Sequence, residues 1–286
     1  MLLSVDTNIL RDRFDDHTAI QMIRDAGFDA FDYSMFRATG ERDMLADDYV
    51  ERAYKLKETA DACGILCRQT HAPFAFEYTN KTDLSDPEYV KLVRSLEVAS
   101  ILGAEHIVMH TVKKNLPENF DLDGFSRDFY RSFIPYCEKF NMKISVENLV
   151  GRDPVTGEKR PVFSDPRYHQ EFVKSLDSKW FDICVDVGHS ALLGYPPEDV
   201  ISAMDPEVFQ TIHIHDNYLT HDSHILPYAG KLNWDAITTA LAKIGYEGDF
   251  SFETFRVLRV YPPELARSCI RLIADTGRYL IGRIEE

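Results

Sequence analysis

The stretch QTIHIHDNYLTHDSHILPYAG, residues 210–230, begins as a short apolar strand and continues into a polar turn. Because side chains alternate between the two faces of a strand, His213 and His215 are predicted to share one face. Ile212 and Ile214 then share the opposite face. Imidazoles and a carboxylate within one strand and the turn after it form an unusual density of the donors that bind metal ions.

The turn after this strand contributes Asp222 and His224, two positions apart. Taken singly, each has an ordinary explanation, because a lone histidine is usually a hydrogen-bonded core residue and a turn carboxylate is usually solvated. A metal or catalytic site is favoured because other predicted strands end in the same kinds of side chain.

The rest of the chain alternates eight times between short β-like runs and segments with helical spacing. Such alternation implies parallel strands with crossover helices. Eight repeats in 286 residues predict one α/β domain over residues 1–286, a single (β/α)₈ TIM barrel rather than an open sheet. The first strand also lacks the GxGxxG turn of a dinucleotide-binding fold. The predicted strands are Leu2–Asp6, Phe28–Tyr33, Leu66–His71, His106–His110, Lys143–Asn148, Phe181–Val187, Thr211–His215 and Asp249–Phe255.

Between these strands, most segments read as single helices, including Leu122 to Phe140, while Val150 to Asp165 reads as a long polar loop. Four histidines outside the strand ends are predicted to be surface or solvated residues. They are His17, His106, His169 and His221.

Catalytic groups of TIM barrels lie at the carboxyl ends of the strands, and here those ends carry imidazoles and carboxylates. The side chains concerned are His71, His110, Glu147, Asp186, His189, His213 and Glu253. Two positions earlier, on the same inward face, are small residues, namely Ser145, Cys184, Thr211 and Ser251. The pattern predicts an open barrel mouth with donors around its rim.

Several carboxylates cannot all ionise in a desolvated barrel mouth without compensation, and a divalent cation is the simplest compensation. Glu147, Asp186, His213 and Glu253 form a mixed nitrogen and oxygen set from four strands. Such a set suits Mn²⁺, Mg²⁺, Co²⁺ or Zn²⁺. Just beyond the last strand, Arg256 is a candidate contact for an anionic group of the substrate.

Composition narrows the choice of partners. An apolar fraction of 44 % with 28 % charged residues is ordinary for a globular protein. A net charge of −15 disfavours nucleic acid and anionic membranes as partners. No stretch approaches the roughly 20 apolar residues that span a bilayer, and we expect no secretory signal. Five cysteines without CxxC spacing indicate reduced thiols and a cytoplasmic protein.

The strand-end motifs together resemble the xylose isomerase-like TIM-barrel superfamily along nearly the whole chain. This group includes sugar phosphate isomerases and epimerases and the endonuclease IV type of abasic-site nuclease. The motifs are HAPF at His71, VMH at His110, SVENL at Glu147, VDVGH at Asp186 to His189, HIHDN at His213, DSH at Asp222 to His224 and SFETF at Glu253.

Resemblance to the ketose 3-epimerases of this group implies one metal held by Glu147, Asp186, His213 and Glu253. The two glutamates would also be the catalytic acid and base, exchanging a proton at the carbon next to a carbonyl. A residue matching His189 binds substrate in those enzymes. The chain departs from them after His213, where its loop is longer and lacks their substrate-contacting arginine, so the resemblance does not identify the sugar.

Resemblance to endonuclease IV implies more than one metal ion. In that family, the residues that match nine positions of this chain hold three zinc ions. The nine are His71, His110, Glu147, Asp186, His189, His213, Asp222, His224 and Glu253. We therefore expect one to three divalent ions per chain. The glycine-rich segment that follows the first glutamate in that family is replaced here by NLVGRDPVTGEKR.

The first functional hypothesis is a metal-dependent isomerase or epimerase of a small sugar, sugar phosphate or keto-polyol, and the same chemistry would serve a keto-polyol dehydratase. The second is an abasic-site endonuclease, and the third is a barrel that binds a ligand without catalysis. The expected partner is a small carbohydrate, with a homo-oligomer left open.

Overall fold

The computed structural model describes residues 1–11, 13–36, 40–74, 82–111, 120–152 and 156–286. Eight parallel strands close into a barrel with helices between them, which confirms the predicted (β/α)₈ architecture. The barrel order is β1-β10-β9-β8-β5-β4-β3-β2. The strands are β1 (Leu3–Asp6), β2 (Ala30–Ser34), β3 (Leu66–His71), β4 (His106–Met109), β5 (Lys143–Glu147), β8 (Phe181–Asp186), β9 (Phe209–Ile214) and β10 (Phe250–Phe252), while β6 (Leu149–Arg152) and β7 (Lys159–Val162) lie outside the barrel.

Helices begin and end where the sequence supplies caps. Asp86 accepts a hydrogen bond from the Glu88 amide at the start of one helix, and Gly103 ends that helix with a positive φ of 89°. The helices are α1 (Asn8–Arg11), α2 (Asp16–Asp25), α3 (Tyr49–Cys63), α4 (Pro87–Leu102), α5 (Leu122–Ser132), α6 (Ile134–Phe140), α7 (Pro166–Ser175), α8 (Val187–Leu192), α9 (Pro197–Ala203), α10 (Trp234–Ile244) and α11 (Ala266–Glu285).

Strand register brings the polar strand ends to one rim. Asp186 pairs with His213 in the β8–β9 ladder, and Glu147 pairs with Cys184 in the β5–β8 ladder. The residues between them, such as Val146 and Val185, are fully buried in the apolar core shared with the helices. The predicted alternation of apolar and polar faces is therefore present.

Two of the predicted connections between strands differ from the structure. The single helix predicted from Leu122 to Phe140 is divided at Phe133 into α5 and α6, because Pro135 has no amide hydrogen to continue the helical hydrogen bonds. The polar loop predicted from Val150 to Asp165 contains the antiparallel hairpin β6–β7. Its residues 153–155 lie outside the described part of the chain.

The last barrel strand is shorter than predicted and ends at Phe252. Its pairing nevertheless continues, since the Glu253 amide donates to the Ile214 carbonyl at 3.0 Å. All five cysteines are free thiols, and Cys63 is the one that is partly exposed. Within the described ranges, no helix combines the length and the apolar character needed to cross a membrane. The assignment of residues 1–286 to one domain stays a prediction.

Candidate active site

A central group of four donors lies at the carboxyl ends of β5, β8, β9 and β10. One ligand atom from each of Glu147, Asp186, His213 and Glu253 lies within 4.8 Å of the others. His213 Nδ1 is 3.2 Å from Glu147 Oε1, 3.6 Å from Glu253 Oε2 and 3.9 Å from Asp186 Oδ2. All four residues are buried, so their charges are concentrated in a small space with little water.

A second group joins the ends of β3 and β4 to the same glutamate. The Nε2 atoms of His71 and His110 are 3.2 Å apart. His71 Nε2 is 3.6 Å from Glu147 Oε2, and His110 Nε2 contacts the same oxygen. Glu147 therefore has one carboxylate oxygen toward this group and the other toward the central group.

A third group contains His189, at the start of α8, and two residues of the loop after β9. Asp222 Oδ2 lies 2.9 Å from His224 Nε2 and 3.5 Å from His189 Nε2. His224 has a positive φ of 42°, a conformation that histidine seldom adopts, and its side chain lines the cavity at the barrel mouth.

The tautomers of three histidines suit the binding of divalent cations. In each, a main-chain carbonyl accepts a hydrogen bond from Nδ1, which leaves Nε2 as the nitrogen with a free lone pair. His71 Nδ1 donates to Ala72 O at 2.8 Å, His189 Nδ1 donates to Asn148 O at 2.9 Å, and His224 Nδ1 donates to Glu253 O at 2.8 Å. In each neutral ring the Nε2 lone pair then faces a carboxylate or another imidazole. Such facing acceptors require a proton or a metal ion between them, and a carbonyl on the second ring nitrogen is the usual support of a metal-bound histidine.

The two glutamates of the central group differ in their preferred protonation. Burial alone would raise the pKa of Glu147, but His110 and His213 outweigh it and hold that pKa well below the usual range. Burial raises the pKa of Glu253 well above its usual range, and the charges of Glu147 and Asp186 raise it further against the attraction of His213. In the absence of a cation, Glu147 is thus the carboxylate and Glu253 the carboxylic acid.

His215 supports Asp186 rather than His213. Its Nε2 lies 3.0 and 3.1 Å from the two oxygens of Asp186, and its ring stacks on His224 with the centroids 4.0 Å apart. Gly188 leaves the space for this ring, because a Cβ there would lie 1.9 Å from His215 Cε1. His215 also has a ring nitrogen within 4.8 Å of donors from His224 and Glu253, an additional donor group that the sequence did not indicate.

Asp216 anchors the loop that carries Asp222 and His224. Its carboxylate accepts hydrogen bonds from five N–H groups, at 2.7 to 3.1 Å, and its main chain pairs with Ile225. The donors are the amides of Asn217, Tyr228, Lys231 and Leu232 and the indole of Trp234.

The donor groups open into a cavity of about 260 Å³ at the barrel mouth, which we call the metal pocket. Its lining residues are Asn8, Arg11, Phe36, Phe74, His110, Glu147, His189, Asp222, His224, Glu253, Phe255, Arg256 and Arg259. Arg256, predicted as a contact for an anionic group of the substrate, lines this pocket. Phe74 also lines the pocket.

A model of the family described as xylose isomerase-like TIM barrel matches residues 20–275. The chain belongs to this family. Protein y4fM of Sinorhizobium fredii is 29 % identical over 264 residues, which cover 82 % of this chain and 80 % of that protein.

Two solved structures have a fold similar to that of this chain. A D-tagatose 3-epimerase-like protein superposes with a TM-score of 0.73 at 19 % identity, covering 99 % of this chain and 100 % of the other. IolI with a bound zinc atom superposes with a TM-score of 0.74 at 16 % identity, covering 99 % and 98 %. At these identities the likeness concerns the fold.

Some buried acids of this xylose isomerase-like barrel were missed from the sequence. Asp6 ends β1 and Asp32 lies in β2, and both are about 1 % exposed. Asp32 accepts a hydrogen bond from Gln69 Nε2 at 2.6 Å and lies 3.8 Å from His213 Nε2. Because catalytic groups of TIM barrels lie at the carboxyl ends of the strands, Asp6 at the end of β1 could have been predicted as a site residue from the sequence.

The prediction that His169 is solvated was wrong. Its ring is fully buried, and Nε2 donates to the Val146 carbonyl at 3.0 Å. The spacing of His169, Phe172 and Val173 along α7 already places them on one face. His106 is also more buried than predicted, because its Nδ1 contacts Asp182 at 2.9 Å.

Proposed function

We propose that this protein is a metal-dependent isomerase or epimerase of a small sugar, sugar phosphate or keto-polyol. The reaction would move a proton at the carbon next to a carbonyl, with Glu147 and Glu253 as the acid and base. The observation that carries the proposal is that both glutamates contact His213 Nδ1, at 3.2 and 3.6 Å, and border one cavity.

Glu147 and Glu253 together take the roles of acid and base, and a cation held by both would lower the pKa of each relative to the metal-free protein. One glutamate accepts the proton from carbon, and the other, in its protonated form, returns a proton to the opposite side of the planar intermediate. A divalent cation held by Glu147, Asp186, His213 and Glu253 would polarise the substrate's carbonyl and hydroxyl oxygens.

Pocket size and charge support a small polar substrate. A volume of about 260 Å³ suits a single monosaccharide better than a polymer. Arg256, with Arg259 beside it, adds positive charge at the rim, which favours a phosphorylated or acidic sugar over a neutral one. His189, which lines the pocket, would hold a substrate hydroxyl. The printed names of neighbours, such as D-tagatose 3-epimerase-like protein, agree with this class.

The proposal is tested by incubating the Mn²⁺-loaded protein with ketoses, ketose phosphates and keto-polyols in D₂O. Proton NMR should show deuterium entering the carbon next to the carbonyl and a new stereoisomer or aldose accumulating. Loss of a hydroxyl as water would instead identify the dehydratase. A complete panel without deuterium incorporation, from protein shown to hold metal, would contradict the proposal.

A second candidate is hydrolysis of a phosphodiester at an abasic site, and one observation favours it. All nine residues that match the zinc ligands of endonuclease IV form three adjoining donor groups, which suits a reaction with two or three metal ions. The net charge of −15 opposes binding to DNA. An incision assay on abasic duplex DNA separates the candidates, since a sugar isomerase would leave the strand intact.

A further inference from the structure

His213, in the central donor group, has two ring nitrogens with different surroundings. Nδ1 faces the donors at the barrel mouth, 3.2 Å from Glu147 Oε1 and 3.6 Å from Glu253 Oε2. Nε2 faces β2, where Asp32 Oδ2 lies 3.8 Å away. His213 and Asp32 are each 1 % exposed, so this second side of the ring is shielded from bulk water.

Metal binding through Nδ1 determines what Nε2 of His213 must do. A neutral imidazole carries one hydrogen, and if the Nδ1 lone pair binds a cation, that hydrogen is on Nε2. A buried N–H group requires an acceptor. For His71, His189 and His224, a main-chain carbonyl accepts the ring hydrogen. His213 has no such carbonyl, because none of the residues that the structure describes makes a hydrogen bond with its Nε2.

Asp32 is fixed beside this nitrogen by Gln69 of β3. The two residues are paired in the β2–β3 ladder, and Gln69 Nε2 donates to Asp32 Oδ2 at 2.6 Å. Asp32 Oδ1 makes no hydrogen bond within the described part of the chain. The neighbouring acid of β1, Asp6, instead accepts the Asn8 amide. Asp32 therefore has the unused acceptor capacity that His213 Nε2–H requires, although burying a carboxylate with one hydrogen bond is costly.

We propose that Asp32 is a positioning residue that orients His213 for metal binding. With a cation in the central donor group, Nε2–H donates to the Asp32 carboxylate, which holds Nδ1 toward the cation and makes it a stronger electron-pair donor. The ring and the carboxylate need to approach each other by only about 1 Å for this hydrogen bond to form. The inference rests on the proposed function for the presence of the cation.

The thiol of Cys184, which lies in β8, is the alternative partner of the His213 ring. A thiol is a weak hydrogen-bond acceptor, whereas a hydrogen bond from an imidazole to a carboxylate is charge-assisted. The carboxylate is therefore the group that fixes the ring. Cys184→Ala should bind Mn²⁺ with an affinity within about threefold of wild type, because it removes at most a weak hydrogen bond.

The test is the affinity of the full-length protein for Mn²⁺, measured by titration calorimetry. Asp32→Ala removes the acceptor and should weaken binding roughly 10- to 100-fold. Asp32→Asn keeps an acceptor oxygen without the charge, so its loss of affinity should be smaller. Asp182→Ala is the matched control, since it removes a buried carboxylate that contacts His106, a histidine outside the donor groups, at 2.9 Å. Its affinity for Mn²⁺ should stay close to that of wild type.

A spectroscopic measurement separates positioning from a general loss of structure. In Zn²⁺-loaded protein labelled with ¹⁵N-histidine, the Nε2–H group of His213 should give an N–H correlation in NMR spectra, identified by its loss in His213→Gln. Because a charge-assisted hydrogen bond to a carboxylate deshields the proton, this signal should move upfield in Asp32→Ala. It should stay unchanged in Asp182→Ala.

The role of Asp32 would be overturned by wild-type affinity in Asp32→Ala, by an equal loss in Asp182→Ala, by a larger loss in Cys184→Ala, or by an unmoved Nε2–H signal. If Asp32→Ala does not fold, the affinity and the signal of Asp32→Asn decide. A wild-type protein that binds neither Mn²⁺ nor Zn²⁺ would refute the proposed metal-dependent function. Metal binding that depends on Asp32, in a protein that turns over no ketose, would refute the reaction and leave the positioning role standing.

Discussion

Glu147 and Glu253 are the same kind of side chain, placed at equivalent ends of two strands, yet their surroundings give them opposite tendencies. Glu147 is in contact with imidazoles from β4, β9 and α8, which favour its carboxylate. Glu253 also lies near His213 and His224, at 3.6 and 3.5 Å, but burial and the charges of Glu147 and Asp186 outweigh the attraction of His213 and raise its pKa. These directions apply to the metal-free protein, and a cation bound by both carboxylates would lower the pKa of Glu253 toward that of Glu147.

Replacing either glutamate by glutamine tests this division of roles. Because each amide keeps the size of the carboxyl but transfers no proton, Glu147→Gln and Glu253→Gln should each lower kcat by roughly 10²- to 10⁴-fold. Both variants should also reduce the metal content, since each glutamate belongs to two donor groups. Steady-state kinetics and elemental analysis are the measurements. Glu158→Gln, on the exposed surface, is the control, and turnover within twofold of wild type by both active-site variants would refute the assignment.

The titration of the buried residue His169 affects how stable the fold is at acidic pH. Burial lowers the pKa of this imidazole from 6.5 to about 4. The unfolded chain therefore takes up a proton that the folded chain refuses, so the stability that His169 contributes is complete above pH 6.5 and is lost as the pH falls toward 4. The shift corresponds to roughly 3 kcal/mol across that interval.

His169→Gln should keep the hydrogen bond to the Val146 carbonyl but remove the titration. Urea unfolding at pH 7 and at pH 4 should then show a smaller loss of unfolding free energy than in wild type, by roughly 2–3 kcal/mol. His17→Gln, an exposed histidine on α2, is the matched control and should leave the wild-type loss unchanged. An identical acid loss in wild type and His169→Gln would contradict the assignment of this titration to His169.

At the scale of elements, the site depends on how β9 and its following loop are held against β8 and α8. Asp186 ends β8 and caps α8 by accepting the His189 amide at 2.7 Å. Asn148 joins β5 to the same place, because its side chain accepts the Asp186 amide at 2.7 Å and donates to the Asp186 carbonyl at 3.0 Å. The ligands of different strands are thus positioned by hydrogen bonds between their neighbours.

Gly188 tests the packing between α8 and β9. Gly188→Ala would place a methyl group against the His215 ring, at 1.9 Å from Cε1 before relaxation, and so displace the imidazole that holds Asp186. We expect a loss of roughly 1–3 kcal/mol in unfolding free energy and a roughly 10- to 100-fold weaker affinity for Mn²⁺. Gly282→Ala, in open space on α11, should instead be neutral or stabilise by up to ~1 kcal/mol. Equal stability and metal affinity in the two variants would contradict this packing argument.

At the scale of the whole molecule, the sequence was sufficient for the barrel and for the convergence of the strand-end side chains, since both depend on periodic patterns. Strand alternation predicted the faces, and the carboxyl-end rule predicted where residues such as Glu147 and Asp186 would meet. The sequence was insufficient to predict the contacts of Asp216 and His215, because these contacts depend on the path of the loop after β9. The hairpin β6–β7 was missed for a similar reason, since its register is determined by pairing between two short polar runs.

Metal binding should stabilise the entire barrel, because the donor groups draw on β3, β4, β5, β8, β9 and β10. In the absence of cations their carboxylates repel one another at close range. Thermal unfolding in excess EDTA should therefore occur several degrees below unfolding in Mn²⁺ or Zn²⁺ at about 100 times the dissociation constant, where binding contributes roughly 2.7 kcal/mol. Asp186→Asn should show a smaller difference between the two conditions. An unfolding temperature that is equal with EDTA and with metal would argue against a metal site.

The most direct measurement is anomalous diffraction from crystals equilibrated with Mn²⁺. We predict a peak bonded to Glu147, Asp186, His213 and Glu253 together, with weaker or additional peaks in the adjoining donor groups. A map with no peak among these four side chains, at a Mn²⁺ concentration that saturates the thermal shift, would contradict the central claim that the two glutamates share a cation.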